Sequence, residues 1–340
     1  MRNLVTLDGK KSSRHTPCAV RRKLQVAGIL ARCCLRLGPQ GGRHTECACY
    51  FAFLALLCLT VPARAESAAD AKAPPEKYSL RYQFHAGDTL RWNVVHRCQI
   101  RTAVSGTEQT AETTTLSVKV WRVLDVTPDG QATFEHRVES VDMRHRLSGR
   151  DEVHYNSNKD VAAPPGFENV AKAVGVPLAV ITLDARGKVL SRKQNPVKAA
   201  TPGQGEITIR LPEEPVAVGH QWSFPHDIDV PLPGGGVRRV KAVQSYTLEG
   251  VRTGVASIRM DTQILTPMND PALESQLLQY ETTGTVRFDV DAGRILGRQA
   301  DVDKGVVGFR GAASSLHYRA RSTEELVAPE TKVAARESRR

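Results

Sequence analysis

The stretch LDARGKVLSR (residues 183–192) has a near-copy in FDVDAGRILGR (residues 288–298). Each reads apolar residue, Asp, short turn, Gly, basic residue, branched aliphatic, Leu, and then Arg. A single pair of Gly hairpins says little, because Asp and Gly are what tight turns need. Here the pair closes a longer series. GDTLRW (Gly87–Trp92) is matched by VGHQW (Val218–Trp222). The turn in VTPDGQATFEHRV (residues 126–138) is matched by VRTGVASIRM (residues 251–260), and PPGFENVAKAVG (residues 164–175) by NDPALESQLLQY (residues 269–280). Landmarks that recur in one order point to a duplicated unit, with shorter loops in the second copy.

Between the landmarks the chain reads as strand. Tyr78, Leu80, Tyr82 and Phe84 alternate with polar residues, as do Ala256, Ile258, Met260, Thr262 and Ile264. Period-two alternation suits antiparallel sheet with one covered face, whereas buried parallel strands would run continuously apolar. Each half offers one helix. In the first, Phe167, Val170, Ala171 and Val174 form a stripe, and Gly175 stands where a helix ends. In the second, Asp270 caps, Pro271 takes the first helical position, and Leu273, Leu277 and Tyr280 form the stripe. The expected fold is α+β and mainly antiparallel β: a curled sheet or half-open barrel, internally duplicated, with one helix per half. Two arrangements satisfy this, namely two curled units side by side or one strongly bent sheet shared by both.

Composition separates a leader from the rest. The 340 residues carry 47 Lys and Arg against 36 Asp and Glu, a net charge of +11 that would ordinarily suggest nucleic acid. Residues 1–65 hold 11 of the basic residues and only Asp8 and Glu46, leaving 36 basic against 34 acidic residues beyond them. The excess therefore belongs to the leader, and no nucleic-acid partner is expected. Tyr50–Val61 is an apolar run of signal-peptide length, too short for a comfortable membrane span, and Ala63-Arg64-Ala65 supplies a cleavage site. Export to the periplasm or the exterior of a bacterium follows, with cleavage after Ala65 and no stable membrane anchor afterwards. Residues 1 to about 45 exceed a normal basic n-region and read as an over-extended start or a processed segment. Six of the seven Cys lie in the leader, so Cys98 cannot staple the fold and reads as a half-buried small hydrophobe. Residues 66–77 read as an Ala/Pro-rich linker, 78–205 and 206–326 as two β-rich repeats, and 327–340 as a disordered tail.

The search for chemistry yields no catalytic residue, no metal ligand and no cofactor. Nucleophile elbows, phosphate loops and zinc-protease helices are absent from the sequence. His136, His145 and His154 recur every nine residues, which on a regular strand alternates faces, and with Arg137, Arg144, Arg146 and Arg150 they read as a solvated basic surface. Asp227 and Asp229 beside His226 share a strand face. DVDAG (289–293) and DVDKG (301–305) start like calcium loops but lack the later ligands, so both read as turns. PGGGV (233–237) opens no helix and reads as a hairpin loop. Trp92 and Trp222 read as core.

The GDTLRW strand, VGVPLAVITLDARGKVL (174–190) and LPEEPVAVGHQWSF (211–224) resemble a bacterial exported family classified as a domain of unknown function. The resemblance covers roughly residues 78–325, and its motifs are structural, so it implies a signal peptide and a β-rich body but no active site. The curled, duplicated sheet is also similar in architecture to lipoprotein-carrier half-barrels. The function expected is a non-catalytic extracytoplasmic binding or carrier protein for an apolar ligand. The alternatives are an envelope structural or protein-interaction protein and, behind these, a hydrolase or metal enzyme.

Overall fold

The computed structural model of the chain describes residues 75–195, 208–232 and 235–328. The leader, its cleavage site, most of the 66–77 linker and most of the tail lie outside the described residues. In chain order the first half contributes β1 (Lys77–Tyr78), β2 (Thr89–Val104), β3 (Thr107–Val126), β4 (Ala132–Leu147), β5 (Val153–Asn156), α1 (Glu168–Ala173), β6 (Pro177–Leu183) and β7 (Val189–Gln194). The second contributes β8 (Val216–Ala217), β9 (Gln221–Pro231), β10 (Val237–Arg252), β11 (Val255–Ile264), α2 (Pro271–Leu277), a 3-10 turn (Leu278–Tyr280), β12 (Thr283–Asp289), β13 (Arg294–Val307) and β14 (Ser314–Leu326).

Twelve of these strands form one antiparallel sheet in the order β7-β6-β4-β3-β2-β14-β13-β12-β11-β10-β9, with β5 attached to β4. The halves join where β2 pairs with β14, from Ser314 opposite Val104 to Leu326 opposite Trp92. The shared, bent sheet is thus the arrangement adopted. It curls without closing: α2 touches both β9 and β13, which stand four places apart in the sheet. Both sheet margins feed one core, from Trp121, Phe134 and Ile181 on one side to Tyr246, Ile258 and Phe288 on the other.

The repeated landmarks fall in corresponding places. Each half runs strand, strand, strand, helix, strand, strand in the same sheet order, apart from β5, added beside β4 in the first half, and β14, added in the second, which returns to β2. Trp92 and Trp222 open β2 and β9, while Gly130 and Gly254 turn β3 into β4 and β10 into β11. The opening hairpins join β6 to β7 and β12 to β13. Asp184 Oδ1 accepts from the backbone N–H groups of Arg186 and Lys188, and Asp289 Oδ1 from those of Asp291 and Ala292.

The hairpin glycines have a second duty. Gly187 has φ +81° and Gly293 has φ +58°, a region open to Gly and costly for residues with a Cβ. Both are also crossed at close range by another segment. A Cβ on Gly187 would lie 2.5 Å from the Ile209 carbonyl oxygen, and one on Gly293 would lie 2.6 Å from the Gln83 nitrogen. The crossing is reciprocal. Gln83 N–H donates to the Gly293 carbonyl, and Leu211 N–H donates to that of Arg186. Each lead-in segment therefore seals the hairpin of the opposite half. The two segments are themselves a repeat, Leu80-Arg81-Tyr82 against Ile209-Arg210-Leu211, with all four apolar side chains buried.

Several expectations require correction. Residues 79–84 alternate as expected, but they run as an extended plug against the two hairpins and not as a strand of the large sheet. The Asp270 cap and Pro271 stand as read, with Ala272 N donating to Asp270 Oδ1 at 2.9 Å. Tyr280, however, is 41% exposed, because the helix tightens into the 3-10 turn and buries Leu278 instead. The DVDKG stretch lies inside β13 and forms no turn: Asp301 faces Arg321, and Asp303 faces His317 and Arg319.

Candidate functional site on the inner face of the sheet

The ladder register sorts every side chain onto one of two faces. The outer face is charged, with cross-strand pairs such as Arg146 with Glu112, Arg321 with Asp301 and Arg287 with Glu325. Exposed pairs of this kind contribute at most about 1 kcal/mol each, so they mark a solvated surface. The two-carboxylate arrangement at Asp227 and Asp229 also lies on this face, bracketing Arg239 at 3.9 and 3.0 Å, while His226 sits on the opposite face and is exposed.

The inner face of the second half is filled. Leu273 and Leu277 of α2 bury themselves against Ile228, Val230, Val240 and Ala242. The outer flank of the first half carries α1, whose leading Phe167 meets Tyr155 at a ring distance of 6.2 Å. Between the two helices a strip of floor is left half-buried. From β3 across β2 to β14 it presents Thr115, His96 and Ser322 in one row, Thr113, Cys98 and Ala320 in the next, and Ala111, Ile100 and Tyr318 in a third. Met143 and His145 of β4 extend the first two rows. Burial pushes the Cys98 thiol up, against the pull of its hydrogen bond to Tyr318, and pushes the Tyr318 hydroxyl up. Cys98 is therefore a protonated thiol at neutral pH, a packing group as the sequence suggested. Burial lowers His96, which favours its neutral form.

One end of this floor carries charge inside the core. Lys119 on β3 reaches across β2 to Glu324 on β14, with Nζ 2.8 Å from Oε2, so the ion pair ties the two halves together. Arg298 stands opposite Glu324 in the ladder. Burial would raise the Glu324 carboxyl, but Lys119 and Arg298 outweigh it and hold the group below the usual range. Lys119 also lies 5.5 Å from the centre of the Trp121 ring, and Trp121 packs against Trp92 at 5.6 Å. His136, opposite Trp121, is 7% exposed. Burial lowers its pKa to about 4, and the positive charges of Lys119 and Arg192 add to that effect. Trp92 Nε1, Trp121 Nε1 and His136 Nε2 are buried without a hydrogen-bond partner, a costly state for polar groups.

His136 corrects the reading of a solvated basic surface. A bulge in β4, where Val118 pairs Ser140 but Lys119 pairs Val138, inserts one residue. That shift puts both His136 and His145 on the inner face despite their odd spacing. His154 faces outward, 2.8 Å from Asp142. Trp92 and Trp222 are core, as expected, and Trp222 Nε1 donates to the Arg210 carbonyl. Among the described residues no cluster of His, Cys, Asp or Glu is arranged to hold a metal, and no helix is long and apolar enough to cross a membrane.

Two cavities lie away from the floor. One of about 240 Å³ sits where the first lead-in segment meets the β12–β13 hairpin, lined by Gln83, Phe84, His85, Asp88 and Arg294 among others. The other, about 370 Å³, is an open shelf on the outer face among Glu112, Asp142, Arg144 and Arg146.

No protein-family model matches the sequence, and neither does any curated protein. Among solved structures, one on lipid–protein interactions in lipovitellin is similar over 72% of this chain, at 12% identity and a TM-score of 0.38. The alignment takes in 26% of the lipovitellin chain, about a quarter of its length. DynF from the dynemicin biosynthesis pathway of Micromonospora chersina aligns over 75% of this chain and 90% of its own, at 10% identity and a TM-score of 0.18. Both are distant likenesses of shape, and neither bears on what this chain does.

Proposed function

We propose that this chain is a non-catalytic binding or carrier protein that holds an elongated apolar ligand on the inner floor between α1 and α2. The observation that carries this reading is the asymmetry of the inner face. In the second half α2 fills the curl and the 3-10 turn after it touches β14, whereas on β2 a run of half-buried side chains, Val94, Cys98 and Ile100 among them, has no helix over it among the described residues. An apolar strip flanked by covering elements is the kind of surface that a ligand completes. From Val94 to Thr102 the floor of β2 runs for about 26 Å at the usual strand rise. The reading includes export, supported by the Tyr50–Val61 run and Ala63-Arg64-Ala65.

Dodecanol binding by the purified protein, followed as displacement of a hydrophobic fluorescent dye, tests the reading. Ile100→Glu places a charge on the floor and should weaken dodecanol at least tenfold while leaving the far-ultraviolet circular dichroism intact. Equal affinity in both proteins would remove the floor as the site. A second reading, an envelope interaction protein, draws on the sheet's two unclosed margins, β7 and β9. It predicts a stable protein partner and no dodecanol binding.

A further inference from the structure

The cavity where the first lead-in segment crosses the β12–β13 hairpin is lined by two opposite charges that do not meet. Among the described residues Arg294 makes no hydrogen bond and no ion pair, and its Nε is buried without an acceptor. Burial stops at Nε, so the two terminal nitrogens of the guanidinium stay accessible on a side chain that lines the cavity. Asp291, in the turn of the same hairpin, lines the cavity as well, and its carboxylate has no partner among the described residues. The backbone keeps the two apart. Arg294 is held in the ladder opposite Asp289. The Asp291 carboxylate rests instead over the β10–β11 turn, with Oδ2 only 2.9 Å from where a Cβ on Gly254 would stand.

Each charge has its own complement. The terminal nitrogens of a guanidinium form a planar fork that fits a carboxylate, and the Asp291 carboxylate accepts from an ammonium. A third charge on the wall, Asp88, is already engaged: its Oδ2 accepts from the His85 backbone N–H at 3.3 Å and stands 3.4 Å from His85 Nδ1. A lone anion would face two carboxylates and a lone cation would face Arg294, so a ligand that carries both signs is the one matched at each end. Phe84 and Leu90 supply an apolar wall between them. The Phe84 ring is fixed in place, stacked on Tyr82 at 5.6 Å and edge-on to Phe134 at 4.7 Å. At about 240 Å³ the cavity is too small for a drug-sized molecule.

We infer that this cavity is a binding site for a small zwitterion, an α-amino acid with an aliphatic side chain. The α-carboxylate lies on Arg294, the ammonium on Asp291 and the side chain against Phe84 and Leu90. The site stands apart from the inner floor, and neither reading depends on the other.

Calorimetry on the purified protein compares leucine with two probes that each lack one charge, 4-methylpentanoate without the ammonium and 3-methylbutylamine without the carboxylate. Leucine should bind at least tenfold more tightly than either, a difference of about 1.4 kcal/mol. Arg294→Met should weaken leucine at least tenfold and leave 3-methylbutylamine no weaker. Asp291→Asn, a change in an exposed turn that spares the core, should weaken leucine by a similar factor and leave 4-methylpentanoate no weaker, so the site stays testable even where Arg294→Met fails to fold. Equal affinity for leucine and 4-methylpentanoate would show a plain anion site and overturn the zwitterion. Equal affinity for leucine and 3-methylbutylamine would overturn it in favour of a cation site. Binding of none of the three, or leucine affinity unchanged in Asp291→Asn, would overturn the site itself.

Discussion

A methyl group added at Gly187 tests the reciprocal crossing directly. With φ at +81°, any residue bearing a Cβ is strained by about 1–2 kcal/mol. The added carbon would also lie 2.5 Å from the Ile209 carbonyl oxygen and 2.6 Å from Tyr82 Cε2. Neither can retreat easily, since Ile209 is 1% exposed and the Tyr82 hydroxyl is itself bound to the Ile209 backbone. Overpacking of this kind costs about 1–3 kcal/mol, so Gly187→Ala should lose about 2–5 kcal/mol in all. Gly106 supplies the control, with φ +83° and nothing within 4 Å of an added Cβ. Gly106→Ala should show the backbone strain alone. Urea denaturation of both variants, read by tryptophan emission, gives the difference, provided that the slope m is unchanged. Because each lead-in segment seals the opposite hairpin, the unfolding should be one transition for both halves. Equal losses at Gly187 and Gly106 would refute the crossing, and two separated transitions would refute the coupling of the halves.

Acid should weaken the fold through His136. Its folded pKa of about 4 lies below the ordinary 6.5, so the unfolded chain takes up the proton first and stability falls between those two values, by up to about 3 kcal/mol. His136→Leu should flatten that part of the pH–stability curve, and an unchanged slope would assign the effect elsewhere. Lys119→Met removes the charge-assisted hydrogen bond to Glu324 and leaves it Arg298 alone, which should cost about 2 kcal/mol, most of it regained on adding Glu324→Gln; a chemical-denaturation cycle on the four proteins measures the coupling. Asp270→Ala removes the α2 cap and should cost about 1 kcal/mol, visible as a lower midpoint in the same assay.

The parts of this fold that the sequence made legible are those fixed by local chemistry. Asp184-to-Gly187 and Asp289-to-Gly293 announce hairpins because their turn needs a side-chain acceptor and a left-handed residue. Asp270-Pro271 announces a helix for an equally local reason. Partner choice is not local. Nothing in the sequence of β14 says that it returns to β2, and that pairing alone turns two possible units into one sheet. The bulge near Glu139 is equally silent, yet it decides that His136 is buried. Leu80-Arg81-Tyr82 and Ile209-Arg210-Leu211 could have been matched as a further repeat, but the first was absorbed into a strand pattern. The floor's charged end was out of reach for a plain reason: Lys119 and Glu324 are 205 residues apart. DVDKG shows the opposite failure, a turn composition overruled by the ladder around it.

Cys98, the one free thiol among the described residues, lies half-buried in the middle row of the floor and can report on occupancy there. The rate at which the peptide bearing it reacts with N-ethylmaleimide, followed by mass spectrometry with and without saturating dodecanol, is the most direct test of a ligand-holding inner face. A bound chain should slow the reaction at least tenfold, and a rate indifferent to the ligand would contradict the account.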